Sequence, residues 1–175
     1  MLHTYLTTSW GLHYPIIGAP MAYVGRGRLA RAVTQAGGLG MLGIGSSESV
    51  EFLMQEVAIA RGSDSGRFGI GMHSWAIEKR PDLLDAAIEA RPFLISISFG
   101  SPAPYVERLH QHGILLATQV NTRAEAIQAE TAAEFRALFP PDRQCQSADR
   151  HSTTGLHGAA ALPANCRNGV SVSRQ

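Results

Sequence analysis

The sequence has little net charge, few cysteines and no long apolar run, and each shortage excludes a class of protein. A formal net charge of +1 at pH 7 gives no electrostatic reason to bind nucleic acid or an anionic membrane surface. No apolar run approaches the ~20 residues that a membrane-spanning helix needs. The start of the chain has no basic flank followed by an apolar core, so we predict no signal peptide.

The two cysteines and seven histidines give no metal signature. Cys145 and Cys166 lie late in the chain and lack the spacing of a zinc or redox motif. No two histidines have the spacing of a metal-binding pair on one helix face. We therefore predict a reduced, cytoplasmic protein with no metal site, no nucleic-acid partner and no membrane partner.

The chain has an ordinary apolar content and a regular alternation of predicted strands and helices. Its 175 residues, 45% hydrophobic and 17% charged, suffice for one domain with a real core. Short apolar runs alternate with helical patterns five times within about 125 residues, which is typical of βαβ units and a parallel sheet. The predicted strands cover residues 15–19, 39–42, 68–72, 93–97 and 114–118, and the last predicted helix covers residues 123–138.

The spacing of these units favours one α/β architecture over another. A period of about 25–30 residues suits a partial TIM (β/α)8-type barrel of about five βα units. An open doubly wound sheet is the alternative that periodicity alone leaves. No G-x-G-x-x-G follows the first predicted strand, which argues against a dinucleotide-binding fold.

The first predicted strand runs into a turn of small residues. Ile16 and Ile17 form a short apolar run of the kind that a strand covered on both faces needs. Pro20 has no N–H to give to a central ladder, so we expect the strand to end at about Ala19. Small residues at this turn would let the backbone approach a flat ligand closely.

Five short segments, taken in order, resemble the nitronate monooxygenase family, formerly called 2-nitropropane dioxygenases. The resemblance covers about residues 14–130 and implies an FMN-dependent TIM barrel that oxidises alkyl nitronates with dioxygen. An FMN-dependent enoyl reductase of the same barrel family is the alternative enzyme. The segments are Pro15 to Met21, Ala36-Gly37-Gly38-Leu39-Gly40, Phe68-Gly69-Ile70-Gly71, Phe99-Gly100-Ser101-Pro102 and Ala117-Thr118-Gln119-Val120-Asn121-Thr122.

The same resemblance implies five cofactor-binding residues at the carboxyl ends of strands, where barrel sites are built. Ala19, Pro20 and Met21 match the turn that touches the flavin in the family. Gly71 stands where the family commonly has an asparagine, and it could offer only its backbone. Gln119 matches a glutamine or lysine that contacts the flavin. Without the resemblance, the turn could equally be a plain strand-to-helix connection, and Gln119 a solvent-facing loop residue.

Other polar residues near the strand ends carry weaker signals. His73 follows the third predicted strand, where a loop histidine is the more ordinary interpretation and a residue at a pocket mouth is the alternative. Ser96 and Ser98 have no paired histidine and aspartate, so we do not predict nucleophilic catalysis. The family's Gly-Gly-His segment has no match, and the catalytic residues therefore stay unassigned.

The pattern stops near Pro140, where no 3.6-residue or two-residue apolar period continues. We predict an incomplete barrel domain over residues 1–139 and a poorly ordered tail over residues 140–175. The family's phosphate-binding loops have no counterpart in that tail. A shifted reading frame or an aberrant terminus would explain the change of character. Translation of the other frames would test that hypothesis.

An incomplete barrel would also have consequences for association. Five βα units leave open sheet edges at the first and fifth predicted strands, and unpaired edges invite strand addition. The chain could then be a non-catalytic fragment that persists as a homo-oligomer. The expected small-molecule partners of an active enzyme are a nitronate-like substrate and dioxygen.

Overall fold

The sheet is the frame that positions every candidate residue. The computed structural model describes residues 2–63, 66–133, 135–137 and 169–173. Six strands lie in the order β1-β2-β3-β4-β6-β5, and the first four are parallel. This confirms the predicted α/β class with a partial TIM-type barrel. The strands are β1 Gly40–Gly43, β2 Phe68–His73, β3 Leu94–Ser98, β4 Leu115–Val120, β5 Phe135–Ala137 and β6 Gly169–Ser173.

Helices follow the parallel strands in the alternation that the sequence predicts. Two of them have sequence-readable starts. The Ser49 side chain accepts the Phe52 N–H at the start of α3, and Pro81 opens α5, where its missing N–H costs nothing. The helices are α1 Tyr5–Ser9, α2 Gly27–Gln35, α3 Val50–Arg61, α4 Ser74–Lys79, α5 Pro81–Glu89, α6 Val106–Gln111 (preceded by a 3-10 turn, Ala103–Tyr105) and α7 Arg123–Ala133.

The sheet has a distinct apolar cluster on each face. Alternate strand residues point to opposite faces, so Ile70, Ile95 and Leu116 pack with the helices in the larger cluster. Met41 and Leu94 point the other way and pack with the N-terminal segment in a smaller cluster. The face turned away from the helices corresponds to the interior of a barrel, and it carries the candidate site at its carboxyl end.

The first predicted strand is wrong as an extended strand, although its direction is right. Only two isolated parallel bridges join this segment to β1, Ile17 to Leu39 and Ala22 to Gly43. Ile16 is 59% exposed and not buried as expected. Pro15 and Pro20 bracket four residues and give no ladder N–H, which leaves little backbone to pair on either side of Ile17.

The end of the barrel unit also differs from expectation. Helix α7 ends at Ala133, and β5 (Phe135–Ala137) occupies the last part of the range predicted as helix. Most of the predicted tail, residues 140–175, lies outside the described residues. Five of its residues form β6, which pairs antiparallel with β4 and was not predicted.

The described ranges lack two features. No helix there is long and apolar enough to cross a membrane. No group of three or more His, Cys, Asp or Glu residues there could hold a metal ion. The cytoplasmic compartment stays a prediction.

Candidate functional site

The Ala19–Met21 turn lies directly on the carboxyl ends of β1 and β2. A Cβ added to Gly71 would lie 2.5 Å from the Pro20 Cγ and closer still to its Cβ. A Cβ added to Gly43 would lie 2.6 Å from the Ala22 nitrogen and closer to the Met21 backbone. Two strand glycines therefore let the turn reach the sheet, so the turn and the strand ends form one packed unit.

This packing covers one face of Gly71. Its α-carbon lies under the Pro20 ring, and its carbonyl accepts the Ile44 N–H at 3.0 Å. The residue itself is buried. The backbone contact from Gly71 to a flavin that the resemblance implies stays a prediction.

A layer of small residues forms the floor beside the Pro20 ring. Gly71 pairs with Ser96, and Ser96 pairs with Ala117, so the three residues form one row across β2, β3 and β4. They lie on the face away from the helices, since Ile70, Ile95 and Leu116 take the other face. We call Gly71, Ser96 and Ala117 the floor.

The next row of side chains on this face forms the mouth of the site. His73 pairs with Ser98, and Gln119 follows Thr118, whose partner is Ile97. His73, Ser98 and Gln119 are each two residues beyond a floor residue, so they share its face. All three are half-buried. We call these three residues the mouth layer.

Only one member of the mouth layer is predicted from the sequence. The resemblance implies a flavin contact for Gln119, whereas the sequence around His73 favours an ordinary loop histidine. A period of two counted forward from Gly71 and from Ser96 would have selected His73 and Ser98. The structure thus brings the predicted Ala19–Met21 turn to one side of the floor and Gln119 to the other.

An ion pair between half-buried Arg26 and buried Glu48 holds the turn in place. The Glu48 carboxylate is 2.6 Å from the Arg26 guanidinium and accepts the Gly45 N–H at 2.8 Å. The Arg26 guanidinium also lies over the Phe52 ring, 4.5 Å from its centroid. Since Arg26 precedes α2 and follows the turn, this pair ties the turn to the loop after β1.

Arg80 extends the same network to α5. Its guanidinium donates to the Glu48 carbonyl at 3.1 Å and to both carboxylate oxygens of Asp82 at 2.9 and 2.6 Å. The hydrogen bonds from Arg80 lower the pKa of Asp82. A carboxyl whose pKa is lower in the folded protein contributes stability above its unfolded pKa and loses it as the pH falls. Acid therefore weakens this end of the network.

The contact between Pro20 and Gly71 makes a direct prediction. We expect Gly71→Asn, which restores the residue common in the family, to lower the free energy of unfolding by about 1–3 kcal/mol because it overpacks the Pro20 ring. Urea unfolding measures the change. Adding Pro20→Gly removes the clashing atoms. The double variant should therefore lose less free energy of unfolding than the two single variants lose together. Additive losses would show that Pro20 and Gly71 are not in contact.

The fold of this chain is similar to that of several solved structures. FabK from Thermotoga maritima matches with a TM-score of 0.67 and 27% identity over 75% of this chain and 42% of that protein. A nitroalkane oxidase from Streptomyces ansochromogenes matches with a TM-score of 0.59 and 27% identity over 74% of this chain and 46% of that protein.

A third structure supports the fold alone. The enoyl reductase domain of MlnA, from the macrolactin biosynthesis cluster of Bacillus amyloliquefaciens, matches with a TM-score of 0.52 and 15% identity over 70% of this chain and 28% of that protein. The chain spans less than half of the length of each of these three proteins. No protein-family model matches the chain. Over its N-terminal part, the chain resembles oxidoreductases of the nitronate monooxygenase family that are built on the TIM barrel.

Proposed function

We propose that this chain contributes the flavin-binding half of an FMN-dependent oxidoreductase that oxidises alkyl nitronates with dioxygen. The observation that supports this best is the seat formed by the Ala19–Met21 turn, the floor and the mouth layer at the carboxyl end of the parallel strands. Barrel enzymes build their sites at this end. Similarity to a nitroalkane oxidase at 27% identity supports the same reaction class.

The residues around the floor fit one long edge of a flat ring system. Strands β2 and β4 are two positions apart in the sheet and Gln119 lies two residues beyond the row of Gly71, so Gly71 and Gln119 lie about 12 Å apart. That distance is comparable to the span of three fused rings. Met21, 44% exposed, stands at one end of it, and Gln119 stands at the other.

In this proposal the chain positions the ring and does not react with it. FMN supplies the acceptor for the electrons of the nitronate when it is bound. Ala19 and Met21 present a small apolar surface to the ring, and the Gln119 amide offers both a donor and an acceptor to its polar edge. Gly71, one face of which Pro20 covers, lets Pro20 lie on the sheet.

Titration of FMN with the purified protein tests the proposal. We expect flavin fluorescence to be quenched on binding, and Gln119→Ala to raise the dissociation constant at least fivefold because a polar contact to the ring is lost. Met54→Ala, on the exposed side of α3, is the matched control and should bind as the unaltered chain does. The absence of quenching would favour the non-catalytic fragment.

Oxygen consumption with propyl-2-nitronate then separates the two enzyme candidates. Dioxygen uptake that depends on both the nitronate and FMN supports the proposed oxidase chemistry. Oxidation of a nicotinamide nucleotide with an enoyl thioester, without nitronate turnover, would instead identify an enoyl reductase. Flavin binding with neither activity would leave the cofactor proposal standing and remove the catalytic one.

The open edge beside β1 suggests self-association as a further part of the proposal. Only the bridges at Ile17 and Ala22 cover this edge, and the exposed side chain of Ile16 lies along it. Exposed edges pair with other chains unless a charge or proline blocks them, and Pro15 and Pro20 confine such pairing here to residues 16–19. We expect size-exclusion chromatography to show a dimer or larger species, and Ile16→Lys to shift it towards the monomer. A monomeric unaltered chain would contradict this.

A further inference from the structure

Three aromatic side chains cluster at one side of the mouth. The His73 ring lies 5.2 Å from the Trp75 ring and 5.0 Å from the Phe99 ring, and it meets the Phe99 ring at 86°. Trp75 is 43% exposed and Phe99 is 68% exposed. Large aromatic side chains left this exposed, side by side at a strand end, present flat apolar surface to a ligand.

Phe99 has an unfavourable backbone conformation. Its φ is 59°, in the left-handed region that bulky residues rarely adopt. The packing of the next residue, Gly100, keeps Phe99 in this conformation. Gly100 lies so close to Ser74 that an added Cβ would be 2.5 Å from the Ser74 Cβ and Oγ. The loop after β3 is thus pressed against the start of α4, directly beside His73. A strained residue that the surrounding packing holds in position indicates a functional constraint.

The polar groups around the cluster suggest the charge of a ligand. Within the described parts of the chain, the His73 Nδ1 is buried and makes no hydrogen bond. The Lys79 ammonium lies 5.5 Å from the centroid of the Trp75 ring. Glu78 is the acidic residue nearby, and the Ser74 hydroxyl lies 3.5 Å from its carboxylate. An imidazole that lacks a partner and an adjacent ammonium together favour an acidic group on the ligand.

From these observations we propose that His73, Trp75 and Phe99 bind the ring of a small aromatic acid. The ring packs on the exposed faces of Trp75 and Phe99, which each contact His73. The carboxylate faces the Lys79 ammonium on the Trp75 side, and rotation of the exposed Phe99 side chain opens the way to the buried His73 Nδ1. His73 also belongs to the mouth layer of the proposed flavin seat, but the aromatic contacts are present without flavin, so the test is made with the flavin-free protein and its outcome is read apart from the FMN titration.

The probe is 2-naphthoate, and the protein supplies its own internal reference. The chain has two tryptophans, Trp75 at the site and Trp10, which is 4% exposed in the smaller apolar cluster. In a 1H–15N titration we expect the indole N–H signal of Trp75 to shift with ligand and that of Trp10 to stay. Trp75→Phe assigns the two signals. Cyclohexanecarboxylate, which carries the same charge without an aromatic ring, should bind at least tenfold more weakly.

Phe99→Gly separates binding from folding. Glycine accepts a positive φ without strain, so we expect this variant to melt at a higher temperature than the unaltered chain. It should nevertheless bind 2-naphthoate at least tenfold more weakly by calorimetry, while Met54→Ala binds normally. The proposal is overturned if the unaltered chain does not bind at millimolar ligand, if the Trp10 signal shifts as much as that of Trp75, or if Phe99→Gly keeps its affinity.

Discussion

Replacing Gly40 with alanine is expected to cost more stability than any other single methyl group added to the sheet. A Cβ at this position would lie 2.7 Å from the Ala30 Cα and closer still to the Ala30 carbonyl. These are backbone atoms of α2, so no side-chain rotation can relieve the clash. We expect the free energy of unfolding to fall by about 3 kcal/mol or more, which is the upper end of overpacking effects.

Thermal and urea unfolding measure this change against a control in the same region. A Cβ at Gly18 would meet the Leu39 carbonyl oxygen and the Met41 nitrogen at 3.5 Å, an ordinary contact distance. Gly18→Ala should therefore leave stability within about 0.5 kcal/mol, or raise it slightly by restricting the unfolded chain. Equal midpoints for Gly40→Ala and Gly18→Ala would show that α2 does not pack on β1 as described.

Part of the fold could be predicted from sequence because three parallel strands have a recognisable composition. Strands β2, β3 and β4 are short, largely apolar segments that each begin two residues after a glycine or proline, and their burial favours that composition. Their limits therefore match the predicted ranges to within two residues. Residues 15–19 also carry an apolar run, but Pro15 and Pro20 remove ladder donors at both ends, and pairing is reduced to bridges.

The candidate site could be predicted only in part, for a different physical reason. The resemblance selected the turn and Gln119 because their segments lie at strand ends. It could not show that Pro20 covers Gly71, since the two residues are far apart in the chain and meet only after β2 pairs with β1. The mouth layer needs the register of β3 against β2 and β4 as well. The local period of two selects His73 and Ser98, but it does not show that they lie in one layer with Gln119.

Removing the Glu48 carboxylate is expected to have the second largest effect. Glu48 is 8% exposed and holds both the Arg26 guanidinium and the Gly45 N–H. Glu48→Ala leaves a partly buried cation and a backbone donor without partners. Loss of one partner from a buried pair costs about 3–5 kcal/mol, and the partial exposure of Arg26 reduces this to about 2–3 kcal/mol. Urea unfolding would measure that loss.

Two comparisons show whether the charge or the hydrogen bond matters more. Glu48→Gln keeps an oxygen that can accept the Gly45 N–H, so it isolates the loss of the charge. Asp85→Ala breaks the exposed pair with Arg108, in which both side chains are about half exposed, and should cost less than about 1 kcal/mol. If Glu48→Ala costs no more than Asp85→Ala, the Arg26 pair does not hold this loop.

The Glu48 variant also links stability to the candidate site. Arg26 lies between the Ala19–Met21 turn and α2, and the Met21 carbonyl accepts the Gly25 N–H at 2.6 Å just before it. When the carboxylate is lost, the turn loses its charged tie to the loop after β1 and keeps the exposed hydrogen bond between the Tyr23 and Ser47 hydroxyls. We therefore expect Glu48→Ala to weaken FMN binding even at temperatures where the protein remains folded. Unchanged flavin affinity in folded Glu48→Ala protein would show that the position of the turn does not control the seat.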